Sequence, residues 1–138
     1  MVKSREEVGV FLKKSKEILS DEDHDLDILQ KKKGEFYTDP YITKNTMMDL
    51  DYEDEDIKEE LKNLTVKDYI ETVPDIGKKK SSPIPFWVFG KKIQERDVYI
   101  KYKIRSESSK KIFCISFHYA REPFKNRPYS EANKRKIL

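Results

Sequence analysis

Between Arg96 and Arg105, apolar and charged side chains alternate with a period of two, the pattern of a strand with one wet face. The alternation sets Tyr99, Lys101, Lys103 and Arg105 on one side and Val98, Ile100, Tyr102 and Ile104 on the other. Along Lys111–Tyr119 the same reading takes Phe113, Ile115, Phe117 and Tyr119 as the apolar set, opposite Ile112, Cys114, Ser116 and His118. Turning both apolar sets toward one core leaves Tyr99, Lys101, Lys103, Arg105, Ser116 and His118 together on an open face. Cations held on a sheet attract phosphate, and a tyrosine beside them can stack on a base or donate a hydrogen bond. A histidine adds an acid or base near physiological pH. The same residue types also suit the solvated face of a two-layer sandwich, and alternation alone does not separate the two readings.

The elements that position this face are read from period and punctuation. Phe86–Phe89 is a first strand, followed by Gly90-Lys91-Lys92 and a turn, so residues 86–119 form a three-stranded antiparallel sheet with short polar connections. Upstream, Ser4-Arg5-Glu6-Glu7 has the form of a capping box, and Val8, Phe11, Leu12, Ser15, Ile18 and Leu19 recur at helical spacing, predicting a helix over 5–19. Leu26 and Ile28 suggest a short strand ended by Lys31-Lys32-Lys33-Gly34. Helical turns are expected over 44–50 and 52–61, and Thr65 is a candidate N-cap for another short element. Pro74, Gly77, Lys78-Lys79-Lys80, Pro83 and Pro85 read as a flexible connector. The expected fold is α+β: N-terminal helices packed on a small C-terminal antiparallel sheet, one domain over residues 1–122 with an irregular basic tail over 123–138.

Composition narrows the function classes. Cys114 is the single cysteine, so no internal disulfide forms and a four-cysteine or Cys/His zinc site is excluded. No apolar run approaches the roughly 18 residues of a membrane helix, and the N-terminus does not read as a signal peptide, so a cytoplasmic location is expected. The net charge of +3 conceals an asymmetry. Residues 1–19 carry five basic and three acidic groups, residues 20–77 seven and eighteen, and residues 78–138 seventeen and five, so the balance runs +2, −11 and +12. A basic C-terminal half attracts polyanions, unless the two halves neutralise each other in the fold. His24 among Asp21, Glu22, Asp23 and Asp25 reads as a solvated acidic turn rather than a metal site. The run Asp51–Asp56 reads as a solvated helix start, with docking of a basic partner segment as the sharper alternative. Cys114 lacks a histidine–carboxylate arrangement for nucleophilic catalysis and is expected to be buried.

Three ordered blocks, Trp87-Val88-Phe89-Gly90-Lys91, Val98-Tyr99-Ile100-Lys101 and Cys114-Ile115-Ser116-Phe117-His118, resemble the motility quorum-sensing regulator (MqsR) family of bacterial type II toxins. Leu64–Tyr69 and Pro74-Asp75 resemble the lead-in to that family's sheet; the similarity is clearest over residues 64–119. The resemblance implies a fold similar to RelE-type ribonucleases and a metal-independent, cofactor-free mRNA interferase inhibited by a cognate antitoxin. It further implies catalytic roles for Tyr99 and Lys101. The chain departs from the family's pattern at Ile70-Glu71, Val88 and Ala120, and His118 stands where the family has a lysine. His118 and Arg121 are therefore expected to complete the catalytic set as acid/base and charge stabiliser, the alternative being a non-catalytic RNA-binding or protein-interaction module on the same fold. Trp87, Lys91, Lys103, Arg105 and Ser116 form the expected RNA-binding set, with Trp87 equally suited to a place in the core.

Overall fold

The computed structural model describes residues 1–76, 82–106, 108–124 and 126–131; the Lys78-Lys79-Lys80 run and the last seven positions lie outside the described residues. Its architecture is helices on one face of a five-stranded mixed sheet. The helices are α1 (Arg5–Leu19), α2 (Thr43–Leu50) and α3 (Asp54–Lys62), with a 3-10 turn at Val66–Asp68. The strands are β1 (Asp25–Ile28), β2 (Tyr69–Asp75), β3 (Ser82–Ile93), β4 (Arg96–Ile104) and β5 (Lys111–Tyr119), in the order β1-β5-β4-β3-β2. The expected arrangement of N-terminal helices on a three-stranded antiparallel C-terminal sheet is thereby corrected. The sheet gains a strand at each edge, β1 pairs with β5 in parallel, and α2 and α3 follow β1 in the chain.

Both additions have a physical reason. β1 occupies the outer edge of β5 only as far as Cys114. Beyond it α2 takes over, where Thr43 Oγ1 and Thr46 Oγ1 accept the backbone N–H groups of Phe117 and Tyr119, each at 3.1 Å. The edge of β5 is thus covered along its length, and the buried donors are satisfied. β2 is an edge strand, where Pro74 can sit without breaking a ladder. Its register shifts between Tyr69 and Glu71 and again between Val73 and Asp75, so its side chains do not alternate cleanly.

The core lies between the helices and one sheet face. The capping box at Ser4 and Glu7 starts α1 as the sequence predicts. The helix then buries Val8, Phe11, Ser15, Ile18 and Leu19. Phe11 stacks on Trp87 with ring centroids 4.2 Å apart and an interplanar angle of 7°. Ser15 Oγ is 2.9 Å from the hydroxyl of the fully buried Tyr102, giving that oxygen the partner it needs. From α3, Ile57 and Leu61 reach the same core one turn apart, leaving the acidic face outside. No helix among the described residues is long and apolar enough to cross a membrane.

Candidate functional site

A β-bulge decides which side chains of β5 share a face with β4. Lys101 pairs with Ser116, yet Tyr102 pairs with Cys114, so Ile115 is an extra residue. A single extra residue reverses the sense of alternation, and bulges commonly re-aim side chains in this way. Before the bulge Ile112 and Cys114 enter the core; after it Phe117 and Tyr119 do, all four at 2% exposure or less. The expected apolar set is corrected accordingly. Phe113 stands on the opposite side, its ring beside Phe86 and under the Arg105 guanidinium, and Ile115 is only half-buried. Ser116 and His118 do reach the face that carries Tyr99 and Lys101, directly opposite Lys101 and Tyr99 respectively.

That face is partly roofed. After β5 the chain turns back across it, and Phe124 lies against Gly90: a Cβ there would stand 2.7 Å from the ring, so only glycine admits the contact. Arg127 Nη1 donates to the Gly90 carbonyl at 3.1 Å, and Tyr129 stacks on Tyr69. Beneath this segment is a cavity of about 350 Å³ lined by Ile70, Glu71, Tyr99, His118, Ala120, Arg121, Glu122, Pro123 and Phe124. Its size is within the range of small-ligand sites.

Within the cavity the rings of Tyr99 and His118 stack, centroids 5.4 Å apart. His118 Nδ1 is 2.9 Å from the carbonyl oxygen of Tyr119. A carbonyl only accepts, so Nδ1 carries the proton and Nε2 keeps its lone pair. Burial lowers the His118 pKa, against the opposing effect of the Tyr119 hydrogen bond; the Lys32 and Arg121 charges lower it further. The ring is therefore a neutral imidazole at physiological pH, a base in form. Burial, with the Glu71 carboxylate nearby, raises the Tyr99 phenol above its ordinary value, keeping it a proton donor. Burial pushes the Cys114 thiol up to about 12, and as a fully buried group it is no nucleophile.

The cations of the face fall into two classes. Lys103 Nζ is 2.6 Å from Asp75, Arg105 is 2.8 Å from Asp27, and Arg121 is 2.9 Å from Asp39 and 3.8 Å from Glu35. Lys101 has no carboxylate within ion-pair distance among the described residues; it lies 5.3 Å from the Phe86 ring centroid, and burial lowers its pKa against the pull of the more distant Asp75 and Glu71 carboxylates. Beside it is a lysine the sequence reading treated only as the end of a strand. Lys32 Nζ donates to Ser116 Oγ at 2.7 Å from the loop after β1. The available signal was a lysine run directly behind a strand; only its middle member turns inward, while Lys31 lies over the Tyr37 ring.

Trp87 and Lys91 are not brought to this face. Trp87 pairs with Tyr102 on the helix-covered side and stacks on Phe11, and Lys91 pairs with Glu60 of α3 at 3.1 Å. His24 bonds its own turn through Nδ1 and the Asp21 carbonyl. No group of three or more His, Cys, Asp or Glu side chains among the described residues is placed to hold a metal ion. The chain matches no family model, no curated protein and no solved structure.

Proposed function

We propose that the protein cleaves RNA without a metal ion, as the toxin of a type II toxin–antitoxin pair acting on mRNA. The observation that carries this reading is His118, a neutral imidazole with Nδ1 tied to the backbone and Nε2 left to a cavity it shares with Tyr99 and Arg121. In the proposed reaction Nε2 takes the proton of a ribose 2′-OH, whose oxygen attacks the adjoining phosphorus. The bond from phosphorus to the 5′-oxygen breaks, and that oxygen leaves with a proton supplied by the Tyr99 phenol. The products are a 2′,3′-cyclic phosphate and a free 5′-hydroxyl. Lys101 and Arg121 stabilise the charge that accumulates on the phosphoryl oxygens. Arg121 is shared with Asp39 and Glu35, so it acts once phosphate competes for its donors.

A second observation supports the reading. Three positions at which the chain departs from the MqsR pattern, Glu71, His118 and Ala120, line the same cavity as Tyr99. These altered residues share one pocket, and Val88, the departure outside it, is buried.

The test is incubation of the purified protein with an mRNA transcript in EDTA, followed by end-group analysis. Cyclic phosphate and 5′-hydroxyl ends are expected. Intact RNA in a sample that still binds RNA would remove the enzyme claim and leave a non-catalytic RNA-binding module. Growth arrest on expression, relieved by a small protein encoded beside it, tests the toxin half.

A further inference from the structure

The sorting of cations on the sheet face points to a site that neither the sequence motif nor the reaction above assigns. Lys103, Arg105 and Arg121 each have a carboxylate at ion-pair distance. Among the described residues Lys32 and Lys101 do not, although both are half-buried. Placing an ammonium out of water costs several kcal/mol unless it is compensated, and charged groups that are buried are ordinarily paired. The side-chain partner of Lys32 is a neutral hydroxyl, Ser116 Oγ. An ammonium has three donors, so that bond leaves others over. Ser116 is itself buried at 2% exposure and accepts from Lys32, which frees its own O–H to donate. Lys101 and Ser116 are directly opposite each other across the β4–β5 ladder, and the Lys101 charge is near enough to lower the Lys32 pKa, although its Nζ leans toward the Phe86 ring. The residues next along the two strands on this face are Tyr99 and His118 of the cavity.

We propose that Lys32, Lys101 and Ser116 form a phosphate-binding subsite adjoining the cavity, with Lys32 as the residue that grips the anion. The bulge at Ile115 is the device that builds it, because it turns Ser116 onto this face while Cys114 remains in the core. Lys32 and Lys101 bind two oxygens of one phosphate, and the Ser116 O–H takes a third. An anion there satisfies both ammonium groups, which feel Glu35, Asp75 and Glu71 only from beyond ion-pair distance among the described residues. In identifying the anion as the phosphate of an RNA strand the proposal rests on the cleavage reading; anion binding itself does not depend on it.

The chain has two histidines, which makes the test direct. Inorganic phosphate is titrated into the full-length protein at constant pH and ionic strength while the ring proton resonances of both are followed. The His118 resonance is expected to move saturably, and that of His24, on its separate turn, to stay. Lys32→Met, which keeps the aliphatic stem, weakens phosphate binding about tenfold or more, and Lys32→Arg retains most of it. Ser116→Ala weakens it about fivefold with little change of buried volume, and so carries the test if Lys32→Met does not fold. Lys62→Met, at an ion pair with Glu59 on α3, leaves it unchanged.

No saturable shift in the wild type, or equal losses in the Lys32 and Lys62 variants, overturns the proposal. So does unchanged binding in the folded variants among Lys32→Met and Ser116→Ala. The two readings fail separately. Phosphate binding in a protein that cuts no RNA keeps the subsite and ends the cleavage reading. RNA cutting by a protein that binds no phosphate here does the reverse.

Discussion

The two ends of the wet face of β4 have similar compositions and different electrostatics. At one end Lys103 and Arg105 lie over aromatic rings, Phe86 and Phe113, and each is closed by a carboxylate, Asp75 or Asp27. At the other end Lys101, also beside the Phe86 ring, and Lys32, bonded to the Ser116 hydroxyl, adjoin Tyr99 and His118 and have no carboxylate at ion-pair distance among the described residues. Formal charge counts the two ends alike, but the charge available to a ligand is concentrated at the second. The acidic residues that neutralise the first end come from β1 and β2, the two edge strands. These ion pairs thus leave Lys101 and Lys32 as the cations of this face without a carboxylate at ion-pair distance among the described residues.

The comparison is tested most severely by removing one side chain at each end. His118→Ala is expected to lower RNA cutting by about 10²–10⁴-fold, the usual scale for losing a general base. Arg105→Ala at the paired end changes it by less than about threefold, because its charge is already spent on an exposed ion pair. Single-turnover cleavage in EDTA measures both. Equal losses at the two ends would show a diffuse basic surface and dissolve the distinction.

Stability gives the reverse ranking. Lys103 is 9% exposed at its side chain, so Asp75→Ala strands a buried ammonium and is expected to cost about 2–3 kcal/mol. Asp27→Ala breaks a pair exposed at both members and costs less than about 1 kcal/mol. Urea denaturation of the two variants against wild type decides this. Gly90→Ala is expected to cost about 1–2 kcal/mol, since the new methyl must displace Phe124. The same variant opens the roof of the cavity and raises KM for RNA, while leaving the paired end untouched.

Local regularity was legible in the sequence wherever neighbours in the chain determine it. The capping box and apolar spacing of α1, and the alternation of β4, rest on contacts within a turn or a strand, and both appear as read. β2 escaped because Pro74 and two register shifts erase its period, and because an edge strand tolerates both. The faces of β5 were assigned correctly from Ser116 to Tyr119 and reversed at Ile112, Phe113, Cys114 and Ile115. A bulge is a property of how two strands pair, and nothing in residues 111–119 alone announces it. The site was least legible where its parts are furthest apart. Lys32 meets Ser116 across 84 positions, and Arg121 meets Asp39 across a comparable stretch. Neither pairing follows from composition, and both decide which cations remain available.

The smallest expected effect is in the pH dependence, and it separates the two ends through His118. Burial holds its folded pKa below the ordinary value of 6.5, so between those two values the unfolded chain binds the proton and the folded chain does not. Its contribution to stability is therefore complete above pH 6.5 and is lost as the pH falls through that value toward the folded pKa. The Asp39 carboxyl, lowered chiefly by its bond from Arg121, acts in a separate window: its contribution is lost only as the pH falls below about 3.8. Urea midpoints measured from pH 7.5 to 5 should decline in the wild type, and less steeply in His118→Asn. The acid limb of kcat/KM should lie below 6.5 for the same reason. Because the Lys32 charge helps to depress His118, Lys32→Met should move that limb upward, toward 6.5, whereas Arg105→Ala at the paired end should leave it in place. A limb that does not move in Lys32→Met would mean that the ammonium and the imidazole do not feel one another, and the unpaired end of the strand would then be two separate sites instead of one.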